Sequence, residues 1–255
     1  MKILLILLPL LLFSGENIEK RIYKEKTKFK DSSLLSKIIL NNRFDDKFIS
    51  NISAKVGTTP VLNIYLSPFV EKLLYLRYKF IDIASTDKIN YIISYSDGDI
   101  FKKEFNIKRK SKVDYKRVNL KAVNENIINK KAFEDNDIDK AILSLYGEVK
   151  YIKTVINNSP FHPMLYPKIH IKSSLDLESI AIFSNTNDKA LISVINVIKN
   201  VSIIDYKFKV RIGKHGSLII IAKSRNGEFY RYEYLIENAI CISDGEEPII
   251  DVNIN

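Results

Sequence analysis

The sequence has few of the residues on which most catalytic sites depend. Its 255 residues include one cysteine, three histidines, two methionines, eight glycines and no tryptophan. It contains no glycine-rich phosphate loop, no Gly-x-Ser-x-Gly elbow and no His-Glu-x-x-His motif. Nucleotide chemistry and triad-type hydrolysis are therefore not predicted, and neither a cofactor nor a metal site is expected.

Cys241 is the only cysteine, so the chain cannot form an intrachain disulfide and must fold by packing alone. Apolar Ile240 and Ile242 flank it and Asp244 follows, and nearby negative charge disfavours the reactive thiolate. Three roles stay open for this thiol. The thiol is either inert, or joined to a second chain by a disulfide that makes a dimer, or the attachment point of a covalently bound sulfur group.

The N-terminus has the pattern of a secretory signal peptide. Lys2 precedes an apolar run from Ile3 to Phe13, which only Pro9 interrupts, and small residues follow it. Such a run is shorter than the ~20 apolar residues that a membrane-spanning helix needs. We expect export to the periplasm and a mature protein with no membrane partner; an N-terminal anchor is the alternative.

The formal net charge is +10, but the lysines are spread along the chain among asparagines and isoleucines. One local basic cluster runs from Lys102 to Arg117. A solvated linker explains this cluster, and a docking site for an acidic partner is the alternative. Because export is expected, a nucleic-acid partner is not predicted.

The periodicity of the first half is mainly that of β-strands. Residues 52–56 and 61–66 alternate on either side of a Gly-Thr-Thr-Pro break, which predicts neighbouring strands. Residues 70–83 fit either a helix or strands and are interpreted as strand, whereas residues 32–40 are interpreted as a short helix. Around Asp97-Gly98, two alternating runs predict a hairpin, because these residues tolerate the positive φ of tight turns.

A charged stretch over 108–140 predicts a linker, and the apolar spacing over 137–145 predicts a short helix at its end. Beyond it, residues 147–156 alternate cleanly, and the turns Lys214-His215-Gly216 and Arg225-Asn226-Gly227 place glycine as hairpins require. Further strands are predicted at 170–172, 179–183, 191–198, 206–212, 217–222 and 228–236. This succession of short strands and turns is typical of an immunoglobulin-like sandwich.

The predicted fold is therefore mostly β, with two immunoglobulin-like β-sandwich domains joined by a charged, partly helical linker. The expected segments are a signal peptide (1–15), a flexible leader with a short helix (16–47), a first β domain (48–110), the linker (111–145), a second β-sandwich domain (146–237) and a C-terminal tail (238–255).

Three segments of the second half carry a family resemblance. Residues 147–156 lead into His162-Pro163-Met164; residues 206–210 are followed by Gly216-Ser217-Leu218; and residues 226–230 read Asn-Gly-Glu-Phe-Tyr. Over most of 146–237 the order and spacing resemble SoxZ, the immunoglobulin-like partner in the periplasmic sulfur-carrier complex SoxYZ. The first half is similar to a shortened SoxY, so the chain looks like a SoxY–SoxZ fusion.

The resemblance also implies where a working thiol belongs. In SoxY, a C-terminal arm reading Gly-Gly-Cys-Gly-Gly binds sulfur intermediates and swings between partner enzymes. Residues 105–111 stand at the matching position and contain neither cysteine nor glycine, although a covalent carrier needs a thiolate on a flexible tether. Fused SoxYZ-like proteins associated with quinoprotein dehydrogenases also lack the arm cysteine, so the resemblance implies a docking or delivery function.

The histidines have mainly structural interpretations. His162 is expected to shape a loop, and His215 is expected to lie exposed in a turn. A weak metal site formed by His162 and His170 is the alternative, although no further ligand stands at ordinary spacing.

Two other sets of side chains have both a structural and a functional interpretation. Tyr230, Tyr232 and Tyr234 alternate, which predicts an aromatic face packed inside the sandwich, or else a stripe that binds a sugar or a partner. The clustered acids are expected to be solvated or to start a helix: Asp135, Asp137, Asp139, Glu246 and Glu247.

The sequence thus predicts a periplasmic SoxYZ-like carrier or docking protein that serves a sulfur-oxidation or quinoprotein dehydrogenase system and has no turnover of its own. Its expected partners are periplasmic redox enzymes. Two alternatives stay open. One is a covalent carrier of thiosulfate-derived sulfur through Cys241, and the other is a structural envelope β-sandwich protein.

Overall fold

The computed structural model describes residues 28–30, 33–41, 43–44, 47–57, 59–81, 88–106, 130–161, 166–198, 201–213, 215–237 and 249–255. These residues are mostly in β-strands, as the sequence predicts, and the strands form two open sheets.

The strands are numbered in chain order. They are β1 (Lys28–Lys30), β2 (Ser33–Asn41), β3 (Arg43–Phe44), β4 (Lys47–Val56), β5 (Thr59–Leu66), β6 (Val70–Ile81), β7 (Lys88–Tyr95), β8 (Ile100–Asn106), β9 (Tyr151–Phe161), β10 (Lys168–Ser173), β11 (Leu177–Ser184), β12 (Leu191–Val197), β13 (Val201–Val210), β14 (Gly216–Ser224), β15 (Phe229–Ile236) and β16 (Ile249–Ile254). A 3₁₀ turn spans Lys130–Phe133, and helix α1 spans Ile138–Tyr146.

The six-stranded sheet has the order β1-β2-β6-β13-β10-β16. The ten-stranded sheet has the order β8-β7-β4-β5-β12-β11-β14-β15-β9, and β3 joins it by pairing with β4. Neighbouring strands are antiparallel except at two places, where β16 runs parallel to β10 and β9 runs parallel to β15.

Alternation along the strands produces a core between the two sheets. In β4, for example, Ile52, Ala54 and Val56 are buried while the residues between them are only half-buried. Side chains of the six-stranded sheet, including the fully buried Tyr206 and Phe208, pack in the same cluster. The two rings stack with their centroids 4.5 Å apart.

Helix α1 forms a third layer on the opposite face of the ten-stranded sheet. Its buried side chains Ala141 and Ile142 belong to a second cluster with Phe183 of β11 and Ile221 of β14. The helix begins where Asp137 accepts a hydrogen bond of 2.9 Å from the Lys140 amide, so the predicted helix and its acidic start are confirmed. Every residue of β12 is buried, because this strand is covered on both faces.

The same pairing pattern occurs in both halves of the chain. In the first half β4 pairs with β5 and β7, β7 pairs with β8, and β2 pairs with β6. In the second half β11 pairs with β12 and β14, β14 pairs with β15, and β10 pairs with β13. Six strands of the first half (β2, β4, β5, β6, β7, β8) thus have counterparts in the second half (β10 to β15).

Equivalent strands also join the two halves. β5 pairs antiparallel with β12, and β6 pairs antiparallel with β13. Antiparallel pairing between equivalent elements is the geometry of a two-fold interface. Both sheets continue across this junction, so the expected division into separate sandwiches, with its boundaries, stays a prediction.

Some local predictions are confirmed. The strand predicted over 70–83 is β6, and the Asp97-Gly98 hairpin connects β7 to β8. Lys47 holds this hairpin in place, because its ammonium group lies 2.7 Å from a carboxylate oxygen of Asp97 and of Asp99. Gly227 has φ 87° in the β14–β15 hairpin, as the Asn-Gly turn predicts.

Three local predictions are wrong. The helix predicted over 32–40 is strand β2, because pairing with β6 overrides the helical spacing. The turn at Lys214-His215-Gly216 does not form a hairpin, because β13 lies in one sheet and β14 in the other. The expected C-terminal tail ends in an ordered edge strand, β16.

Candidate functional site

A row of polar side chains crosses the junction on the helix-bearing face of the ten-stranded sheet. Ser53 of β4 lies opposite Asn63 of β5, Asn63 lies opposite Asn196 of β12, and Asn196 lies opposite Ser179 of β11. We call Ser53, Asn63, Asn196 and Ser179 the junction row. The registers of the β4–β5, β5–β12 and β11–β12 pairs place these four residues side by side, so the row lies on strands and not on loops.

Hydrogen bonds hold the first half of the row in one conformation. The Asn63 Oδ1 accepts from Asn51 Nδ2 at 2.6 Å and from Ser53 Oγ at 2.9 Å. The Asn63 Nδ2 donates to the Tyr65 hydroxyl at 3.0 Å. At the far end, the hydroxyls of Ser179 and Tyr146 lie 3.0 Å apart, so α1 closes the row there.

Asn196 differs from its neighbours in the row. It is 6% exposed, and its Nδ2 has no hydrogen-bond partner in the part of the chain that the structure describes. The side chain lines a shallow cleft with room for about one water-sized group. The cleft is lined by Ser53, Lys55, Pro60, Leu62, Asn63, Asn196 and Ile198.

A second polar cluster involves the six-stranded sheet. His170 of β10 is buried, with its Nε2 2.7 Å from Asp205 Oδ1 and its Nδ1 2.8 Å from Asp251 Oδ1. Both ring nitrogens therefore already have carboxylate partners. Among the described residues no group of three or more histidine, cysteine, aspartate and glutamate side chains could hold a metal ion.

Several residues singled out in the sequence lie outside the described ranges. These are Cys241, His162, the Glu246-Glu247 pair and the part of the basic cluster beyond Asn106. Of that cluster, Lys102 is exposed on β8. His215 is exposed directly before β14, which confirms the prediction for its exposure.

The alternating tyrosines of β15 pack into the fold. Tyr232 is 5% exposed in the core between the sheets, and Tyr230 and Tyr234 are partly buried against the same core. The Tyr234 hydroxyl donates to the Asp251 carbonyl at 3.4 Å, and the Tyr230 hydroxyl donates to Glu228 at 3.1 Å. The aromatic face inside the sandwich, one of the two interpretations from the sequence, is confirmed.

Comparisons with known proteins leave the chain without an assigned family. No family model matches it, and no curated protein matches it. One solved structure that it matches is the Bacteroides ovatus mixed-linkage glucan utilization locus SGBP-B in complex with a mixed-linkage heptasaccharide, at 11% identity and a TM-score of 0.18. The match covers 80% of this chain and 42% of that one, and at this TM-score it carries no argument.

Of the described helices, none has the length and apolar character needed to span a membrane.

The sequence did not reveal the junction row. Asparagine and serine at alternate positions of a strand resemble an ordinary solvated face, and the residues that face each other across the junction are more than a hundred positions apart. The one signal in the sequence is that β5 and β12 have an asparagine, and not a charged residue, among their apolar residues.

Proposed function

We propose that the chain is a SoxYZ-like docking protein, in which two immunoglobulin-like units are fused and together bind a periplasmic redox enzyme. The observation that carries this proposal is the repeated pairing pattern, with β5 on β12 and β6 on β13 at the junction. A chain that resembles a fusion of two sandwich subunits is expected to contain such a two-fold junction.

The strand order of the second half supports the immunoglobulin-like part of the proposal. Residues 151–236 contribute β9-β15-β14-β11-β12 to one sheet and β13-β10 to the other. β9, the first of these strands, pairs with β15, the last strand of this unit, at the edge of the sheet. This two-sheet arrangement supports an immunoglobulin-like unit of the kind that the SoxZ resemblance implies.

Direct binding tests the docking function. The purified mature chain would be titrated, by calorimetry, with a sulfur-oxidation enzyme and separately with a quinoprotein dehydrogenase and its cytochrome. We expect saturable binding to one of the two systems. If neither binds, the docking proposal is wrong and a structural envelope protein becomes the better description.

The second candidate function is covalent sulfur carriage by Cys241. In the sequence Cys241 stands between β15 and β16, outside the residues that the structure describes. Intact-mass measurement after incubation with thiosulfate and sulfur-oxidising partners tests it. A sulfur adduct that is absent from Cys241→Ser supports carriage, and an unmodified protein excludes it.

A further inference from the structure

Strand β9 has an open edge that carries exposed apolar side chains. The strand pairs with β15 on one side, and none of the other described strands pairs with its second side. Residues 152–157 are all exposed, and the exposed fractions of Ile152 and Ile156 reach 56% and 55%. An edge strand with unpaired main-chain groups and apolar side chains is a template for a further strand. The edge of β9 is therefore a surface to which another chain can add a strand.

The sequence of β9 is complementary to itself when two copies of the strand run antiparallel. In a pair centred on Thr154, Ile152 of each copy lies opposite Ile156 of the other, on the same face as Thr154. On the other face, Lys153 of each copy lies opposite Val155. The two exposed isoleucines therefore cover each other twice, and no like charges meet across the pair.

The neighbouring registers of the same pair are less favourable. A pair centred on Lys153 places two ammonium groups directly opposite each other, and like charges in this position destabilise a sheet. A pair centred on Val155 places Ile152 opposite Asn158, so the apolar contact between the isoleucines is lost. The register centred on Thr154 is therefore the one that the sequence favours.

The fold already contains contacts of this geometry. At the junction between the two halves, the equivalent strands β5 and β12 pair antiparallel, and so do β6 and β13. A two-fold relation between equivalent strands makes every side-chain contact occur twice. A pair of β9 strands repeats this arrangement between two chains, with a second copy as the partner.

We propose that β9 is a homodimer interface, in which the β9 strands of two copies pair antiparallel about Thr154. The ten-stranded sheets of the two copies then form one continuous sheet. One strand pair covers less surface than the ~1,600 Å² of a standard interface, so we expect a weak dimer that dissociates on dilution. A redox enzyme that docks on the same edge competes with the second copy, because one edge pairs with one strand at a time.

Sedimentation velocity over a wide range of concentrations tests the dimer, in a Cys241→Ser chain that cannot form a disulfide dimer. We expect a monomer–dimer equilibrium. Ile156→Lys should raise the dimer dissociation constant tenfold or more, because it places a charge opposite Ile152 at both ends of the pair. Adding Ile152→Glu to that variant should lower the constant again, because opposite charges then face each other across the two copies. Ile100→Lys, at an exposed position of β8, is the control and should leave the constant unchanged.

Cross-linking tests the register. The two copies of residue 154 should have Cα atoms about 4.5–5.5 Å apart, which a disulfide can bridge. Thr154→Cys in the Cys241→Ser chain should therefore form a covalent dimer under mild oxidation. Val155→Cys is the matched control, because the two copies of residue 155 are offset by two positions and lie more than ~7 Å apart.

The proposal is overturned if the chain stays monomeric at every concentration, or if Ile156→Lys dimerises as tightly as the chain with Ile156. It is equally overturned if Ile152→Glu does not restore association, or if Val155→Cys cross-links as fast as Thr154→Cys. None of these measurements uses a redox enzyme. Failure of the dimer is therefore distinct from failure of the proposed docking, which calorimetry with the enzyme measures.

Discussion

His170 links two strands that are distant in sequence, because its imidazole lies between Asp205 of β13 and Asp251 of β16 at 2.7 and 2.8 Å. The contact between His170 and Asp251 therefore joins the C-terminal strand β16 to β10, in addition to the backbone pairing of the two strands.

Replacing His170 by leucine should loosen β16. The change removes the imidazole that contacts both carboxylates, and we expect a loss of about 1 kcal/mol in local stability, since the Asp251 side chain is 56% exposed. Hydrogen exchange of residues 249–254 measures it. Lys172→Leu, at an exposed position of β10, is the control. If the amides of β16 exchange equally fast in the two variants, this role of His170 is contradicted.

The junction between the halves should carry much of the stability of the whole chain. Ile64 and Ile195 face each other across β5 and β12, and both are completely buried. Ile195→Ala should lower the free energy of unfolding by about 2–4 kcal/mol, through lost burial and the cavity that remains.

Because both sheets continue across the junction, both halves should lose stability together in a single denaturant transition. Exposed Ile100 provides the control, since its replacement by alanine should change stability by less than about 0.5 kcal/mol. Two separate transitions, with only one moved by Ile195→Ala, would show that the halves fold independently.

The sequence predicted those parts of the fold that are determined by residues close together in the chain. The Asp97-Gly98 hairpin and helix α1 were predictable, because a turn dipeptide and an N-terminal aspartate act within a few residues. Strand β2 was mispredicted, because its apolar spacing fits a helix equally well and only pairing with β6 decides between them.

The candidate site was less predictable for the same reason. Asn63 and Asn196 meet only through the β5–β12 pairing, which joins distant parts of the chain. The sequence of a strand indicates which residues share a face, because side chains alternate, but it does not indicate which strand pairs with it. The sequences of β5 and β12 therefore do not predict this contact. The burial of Asn196 likewise depends on the layers packed above and below β12.

The stability of the protein should fall at alkaline pH because of Tyr206. Burial raises the pKa of this phenol above its ordinary value, so the folded state holds the proton more tightly than the unfolded state. The stabilisation is complete below the unfolded pKa of about 10 and is lost as the pH rises beyond it.

Denaturant unfolding at several alkaline pH values measures this loss. Tyr206→Phe has no ionisable group there, so its stability should decline less steeply above pH ~10. At neutral pH it should differ from the unaltered chain by about 1 kcal/mol or less. Parallel declines in the two proteins would assign the alkaline loss to other groups.

The proposed docking partner should bind along β9. This strand lies at an end of the ten-stranded sheet, pairs with β15 on one side, and exposes Ile152, Val155 and Ile156. An edge strand with exposed apolar side chains is suited to accept a strand from a partner, which adds main-chain hydrogen bonds and apolar contacts.

Ile156→Lys should therefore weaken binding of the redox enzyme, because charge on an edge strand opposes pairing with another strand. We expect an increase in Kd of tenfold or more, corresponding to about 1.4 kcal/mol. Ile100→Lys makes the same change on β8 at the opposite end of the sheet, where the side chain is 63% exposed, and should leave the Kd unchanged. If both variants bind as the unaltered chain does, the partner does not dock on β9; if both weaken equally, the effect is one of net charge and not of the edge strand.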